Sequence, residues 1–465
     1  MRDLLAALRD KALTRGVDFM DVRAVESDGT SVQLQDGRAD KLNQHRSRGL
    51  GIRVLLHRAW GFASTDGYHP TPAFEALDAA VAMAKASSER VGDLGVLADA
   101  PPVEDVVPAS FERDPRSVSL ADKMKLLSQY EQAALGAGDG KLVNTQVYYG
   151  DGVQRVVLCN TRGTLVETAS VRTSIGVSLT AQDGALRQRA GERKARQCGY
   201  ELIEGLTPDE LSVKAARRAV ALLEARRAPA GKFTVVFHPS ITGLLTHEAL
   251  GHNAEADLVL GGQSILEGKL GTQIAADCIT IIDDATVPGS WGSYPYDSEG
   301  TPAQRRVLIE NGVLKGYLHS LETAAKMGVA PNGSARAQGF GNRPVVRMSN
   351  TFIQPGTLSF EQLLADIDDG VYLKAGQWGY VFCERGQYTC SAGEGYRIRK
   401  GQLAEHLRNV CISGMTLETL LSADAVSDEF EMDMSGMCGK SGQGMHVNAG
   451  GPHVRVRDVV VGGQD

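Results

Sequence analysis

Two histidines and a glutamate stand together in the stretch His247-Glu248-Ala249-Leu250-Gly251-His252. These side chains suit metal-assisted hydrolysis. Two imidazoles can share one ion, and the carboxylate can carry the proton of a water that the ion activates. In the familiar helical form, H-E-x-x-H, the histidines are four apart and nearly eclipsed. Here they are five apart. At roughly 100° per residue a regular α-helix sets them about 140° apart, too far round to share one small ion. The spacing therefore predicts a widened turn, such as a π-bulge, between them. Gly251 is the residue expected to make that deviation easy. Pro239 suits a first helical turn, and Leu244 and Leu245 supply an apolar face for the helix that leads in. The bland alternative is a helix end carrying two unrelated histidines.

The elements around this stretch must belong to a large chain. Its 465 residues exceed one ordinary core, so two or three domains are expected. An apolar fraction of 42% is ordinary for a globular protein, and a net charge of −7 argues against a general nucleic-acid binder. No stretch is apolar for long enough to span a bilayer as a helix. The N-terminus breaks into charge too early for a signal peptide and reads as an amphipathic helix closed by Gly16, so a cytoplasmic protein is expected. Seven scattered cysteines without a C-x-x-C pair fit a reducing compartment. Six of them read as small core hydrophobes. Cys438 stands apart, in the glycine-rich run Gly436-Met437-Cys438-Gly439-Lys440-Ser441. The end of that run resembles a P-loop, but Met434 occupies the place of the first glycine the P-loop needs.

Two rounds of strands and helices precede the histidines. Short extended runs over 21–27, 31–35, 39–44 and 50–57 are separated by Asp28-Gly29 and Asp36-Gly37, both hairpin signals. A helix is expected from about Pro72 to Arg90, and the proline-containing segment 91–117 reads as a linker. The second round has a helix capped at Ser119, strands from Leu142 onward, and a helix opened by Thr207-Pro208-Asp209-Glu210. The expected division is 1–90, an N-terminal α+β subdomain; 118–228, a second α+β subdomain; and 229–465, a mostly β domain holding the chemistry. The fold class reads as α+β, a sandwich-like N-terminal part before a domain rich in antiparallel sheet.

Several longer motifs stand in a recognisable order: HEALGHNAEAD at 247–257, DSEGTPAQ at 297–304, NGVLKGYLH at 311–319, RMSNTFIQPG at 347–356 and GMCGKSGQ at 436–443. In these the chain resembles the TldD/PmbA proteins over nearly its whole length. The resemblance implies a cytoplasmic zinc metallopeptidase acting on unfolded or flexible peptides, in a homodimer or with a PmbA/TldE-like partner subunit. It places the zinc ligands on His247, His252 and Cys438 and the catalytic carboxylate on Glu248. Since the PmbA branch lacks the histidine motif, this chain resembles the catalytic TldD branch. The chemistry agrees: two imidazoles and a thiolate leave a fourth tetrahedral position open, as a catalytic zinc needs.

Other residues carry weaker expectations. Glu255 and Asp257 could orient a ligand imidazole from behind. His319 could line the cleft, and Arg347 and Asn350 could hold a peptide backbone. His446 and His453 are expected to be solvent-facing or substrate-lining, and His238 to cap or pack. The rival to a peptidase is a non-catalytic peptide-binding or regulatory protein of the gyrase-modulator type, whose metal site would be structural.

Overall fold

The computed structural model describes residues 1–89, 92 and 94–463. The expected helix end at Arg90 and linker start at Val91 lie outside the described residues. Helix α1 spans Arg2–Thr14 and is followed by Gly16 at positive φ, as the sequence suggested. Strands β1 (Phe19–Gln35) and β2 (Arg38–Leu56) form one long antiparallel hairpin whose turn is Asp36-Gly37. The break expected at Asp28-Gly29 does not occur. Three strands crowd Gly29, where a Cβ would lie 2.8 Å from the Asp151 carbonyl oxygen. That glycine marks close backbone approach and not a turn.

The two rounds share a single sheet. Strands β3 (Ala59–Asp66), β4 (Glu104–Val107), β5 (Leu142–Asn160) and β6 (Leu165–Asp183) join in the order β3-β2-β1-β5-β6-β4, and β7 (Leu186–Arg196) pairs with β6. Strand β4 lies inside the expected linker and pairs parallel with β6. Alternation along β1 decides what each face meets. Val22 and Ala24 pack under α1 and α2 (Pro70–Ser88). Val32 and Leu34 pack under α3 (Leu120–Ala137) and the helix Lys214–Glu224. Arg23, Val25 and Ser27 face the other way, toward the C-terminal part.

In that part five strands close into a ring, in the order Asp369–Phe382, Gly231–Phe237, Val454–Gly463, Val410–Met415 and Gln387–Arg399, with the last pairing back to the first. A six-stranded sheet lies beside it and ends in a ribbon of Gly436–Lys440 and Gln443–Gly450. The ribbon is fixed to that sheet by a parallel pairing with Asn350–Ile353. A short helix spans Thr416–Leu421, and Lys400-Gly401 forms a turn with both residues at positive φ. Cys278, expected to be a core thiol, is exposed. No helix among the described residues is long and apolar enough to cross a membrane.

Candidate metal centre

The helix Pro239–Leu245 is capped by His238, whose side chain accepts from the Ser240 N–H. It runs directly into a π-helical turn over Thr246–Gly251. The His252 N–H donates to the His247 carbonyl at 3.3 Å, five residues back. The extra residue is thus absorbed as the spacing required, and the two rings meet edge to face with centroids 5.1 Å apart. Gly251 has a different role from the one expected. Its φ is not positive, and a Cβ there would lie 2.0 Å from the Met348 sulfur. The glycine admits Met348 against the turn. Gly251→Ala is therefore expected to destabilise the protein by about 1–3 kcal/mol, as overpacking does, measured as a lower urea midpoint at unchanged slope.

The ribbon brings Cys438 to these histidines. One ligand atom each from His247, His252 and Cys438 lie within 4.8 Å of one another, and Cys438 Sγ is 3.3 Å from His252 Nε2. A tetrahedral zinc with bonds of about 2.0–2.3 Å sets its donors at comparable separations. His247 Nδ1 is buried without a hydrogen-bond partner, so its ring holds capacity that the protein does not use. The donor set fits a borderline-soft divalent ion.

The electrostatics favour the ligand form of the thiol. Burial alone would raise Cys438, but His247 and His252 outweigh it and hold the thiol down to about 4. Burial works against charge on His252 as well, and Glu255 with Cys438 raises it well above its ordinary range. For Glu248, burial raises the carboxyl, His247 and His252 oppose the rise, and Cys438 adds to it. Glu248 is half-buried, and the chain at Gly379 passes so close that a Cβ there would be 2.8 Å from Glu248 Cγ.

Behind His252 lies a buried brace. Glu255 Oε2 is 3.2 Å from His252 Nδ1 and accepts from Lys440 Nζ at 3.0 Å, while Lys440 also donates to Asp257 at 2.7 Å. Glu255 therefore stands against the ring as expected, while Asp257 holds Lys440 and not the imidazole. Lys440 was not foreseen. Its signal is its position two residues past Cys438, on the same face of an extended strand. Burial would raise Glu255, but Lys440, His252 and Arg347 bring it down to about 2. Its folded-state value lies below the ordinary 4.5. The stability it contributes is thus fully present above pH 4.5 and is lost as pH falls toward about 2. Acid-unfolding curves should show that decline for the parent and a flatter, lower curve across the same window for Glu255→Gln.

Three expected substrate contacts are corrected by burial. Asn350 is fully buried, giving Nδ2 to the Asp284 carbonyl and Ser293 and taking Ser290 and Gly292 on Oδ1. Arg347 is also fully buried and does grip backbone, but that of the ribbon, donating to the carbonyls of Cys438 and Gln443. His319 is buried beside Thr323. All three are buried, and the partners they have are groups of the protein itself. His453 is not solvent-facing either: it is buried against Phe360, and its Nε2 lies 3.0 Å from the Tyr372 hydroxyl. His446 lies edge-on to Trp291 at the wall of a separate cavity.

Residues 20–88, 113–223 and 230–463 match, in turn, the models for PmbA/TldA metallopeptidase domain 1, central domain and C-terminal domain. A metalloprotease of Methanothermobacter thermautotrophicus is 42% identical over 447 residues, covering 96% of each chain. A zinc metalloprotease TldD homolog of Saccharolobus solfataricus is 27% identical over 456 residues, covering 97% of this chain and 98% of its own. A Thermotoga maritima protein described as a candidate modulator of a DNA gyrase shares the fold at a TM-score of 0.80 and 25% identity, with 99% of each chain covered.

Proposed function

This chain belongs to the PmbA/TldA metallopeptidase family, and we propose that it hydrolyses peptide bonds in unfolded or flexible peptides using zinc held by His247, His252 and Cys438. The observation that carries the reading is the convergence of these three donors across a long stretch of chain, with Glu248 beside them. When bound, zinc supplies Lewis-acid polarisation of the carbonyl and acidifies the attacking water. The chain's own residues do the rest. Glu248 takes the proton of the attacking water and passes it to the leaving amine. Glu255, itself held by Lys440, fixes the ring of His252 through Nδ1, which leaves Nε2 for the ion. A purely structural site would have no use for Glu248, and this favours the peptidase over a regulatory protein of the gyrase-modulator type.

The restriction to flexible peptides is tested by offering one protein in two forms. The reduced, alkylated and unfolded form should be cut and the native form left intact; equal cleavage of both would overturn it. The reading includes a partner, either a second copy or a TldE-like subunit. Supporting this is an exposed aromatic stripe, Trp378, Tyr380 and Phe382, on alternate positions of one strand. Tyr380→Glu should lower the mass in sedimentation; an unchanged assembly would move the partner surface elsewhere.

A further inference from the structure

A cavity of about 660 Å³ separates the open face of the N-terminal sheet from the C-terminal domain. That is the size of a pocket for a small ligand or a few peptide residues. One wall is the Arg23 face of β1. The other includes Trp291, Tyr294 and the outer face of the ribbon. The ribbon alternates: Cys438 and Val447 belong to the C-terminal core, while Met437 and His446, paired with each other, line the cavity, joined there by Met445, the register partner of Cys438. The cavity and the metal centre thus lie on opposite faces of one ribbon.

Three arginines gather around His446 and Trp291 without a carboxylate partner among the described residues. Arg336 is buried, with its guanidinium 4.7 Å from the Tyr294 ring centre, and among the described residues its Nη1 donates to the Met348 carbonyl. Arg172 donates to the carbonyls of Trp291 and Ser293 and to the Ser170 hydroxyl. Arg193 lies over the Trp291 ring at 5.2 Å and donates to the Ser435 carbonyl. Carbonyls and hydroxyls satisfy N–H groups without forming an ion pair, and the carboxylate that acts on Arg336, Asp283, is already paired with Arg306.

Arg23, fully buried on the opposite wall, likewise donates to a carbonyl, that of Asn342, and has no ion pair among the described residues, whereas other buried arginines are matched. Arg53 pairs with Asp21 and Glu299, Arg306 with Asp283, and Arg347 faces Glu255. Two carboxylates of the cavity wall are already engaged, and the third, Asp28, has no ion pair among the described residues. Asp151 is held by Lys123 and the Thr30 N–H. Asp297 accepts the backbone N–H groups of Glu299, Thr301 and Ala335. Asp28 acts on Arg46 and Arg116. An uncompensated buried charge is costly, and an entering anion relieves it. Burial and the neighbouring Arg336 already bring Arg172 down to about 9. Burial, with these arginines, holds His446 well below its ordinary range.

We propose that this cavity is a second binding site, in which Arg172 and Arg336 take a carboxylate of a peptide while the adjoining residues lie against Trp291 and Tyr294. Arginine suits a carboxylate because its fork can meet both oxygens. The choice of a peptide as the carrier rests on the peptidase reading; the anion site does not. Lying across the ribbon from Cys438, the site would hold a segment remote from the bond that is cut.

The test is equilibrium binding of four fluorescent, unstructured peptides to zinc-loaded Glu248→Gln protein, which is meant to leave them whole. They share one sequence, with a free or amidated C-terminus and with an internal Glu or Gln. At least one carboxylate-bearing peptide should bind about tenfold or more tighter than the doubly neutral one, a charge-assisted difference. The two singly charged peptides tell whether the terminus or the side chain is taken. Arg336→Gln and Arg172→Gln should each erase the preference and leave the neutral peptide's Kd within about twofold, with Arg→Lys at the same positions as a charge-keeping second variant should either fail to fold. Equal Kd values for all four peptides would overturn the proposal without any variant being made. Carboxylate selectivity in a parent chain that cuts nothing would sink the peptidase reading and keep this one. Cleavage without carboxylate preference would do the reverse.

Discussion

A chain carrying glutamine at position 248 keeps its zinc and turns over an unstructured peptide about 10²–10⁴-fold more slowly, the usual worth of a general acid-base group. Glutamine preserves the size of Glu248 and removes its ability to accept a proton. The donors that cluster are His247, His252 and Cys438, without Glu248, so the ion should not depend on that carboxylate. Burial raises the Glu248 carboxyl above its ordinary value, the direction that suits a group that must return its proton. The same carboxyl serves both half-steps, which places the loss toward the upper end of the range. The measurement is zinc content and turnover side by side with the parent, in the presence of any required partner subunit. A variant without zinc would make Glu248 a ligand or a support. One with full activity would remove it from the mechanism.

Cys438→Ala has the second large effect. It should weaken zinc binding by more than about 100-fold, since groups that merely support a ligand are already worth 10–100-fold. The fold should persist, because the ribbon is held by its pairing with Asn350–Ile353 and by Arg347 and not by the thiol. Competition against a chromophoric chelator gives the affinity, and the thermal midpoint of the metal-free proteins gives the fold. Equal affinity in parent and variant would remove Cys438 from the ligand set.

The local part of this site was legible in the sequence. Two histidines five positions apart cannot serve one ion on a regular helix, and the π turn at Thr246–Gly251 follows from that geometry. Glu255 was legible as a supporting carboxylate because it follows His252 within one turn. Cys438 was marked by its neighbours and its motif, but its approach depends on a parallel strand pairing and on the grip of Arg347, and neither has a local signature. For the same reason Arg347 and Asn350 were misread: type and motif suggested peptide contacts, and only burial shows them holding the protein's own backbone. Asp28-Gly29 read as a turn because the crowding from Asp151 comes from a strand more than a hundred residues on. Arg172, Arg193 and Arg336, which lack an ion pair among the described residues, could not be found from sequence at all, since a missing ion pair is a property of the packed molecule.

The most direct test of the central claim is to follow hydrolysis of one unstructured peptide by the purified chain, with any required partner present, while zinc is removed and restored. The account predicts about one zinc per chain, as three protein ligands around one ion imply, with cleavage lost on chelation and recovered when zinc is returned. A chain that cuts the peptide equally well after its zinc has been stripped, or that holds zinc at His247, His252 and Cys438 and cuts nothing, would contradict it.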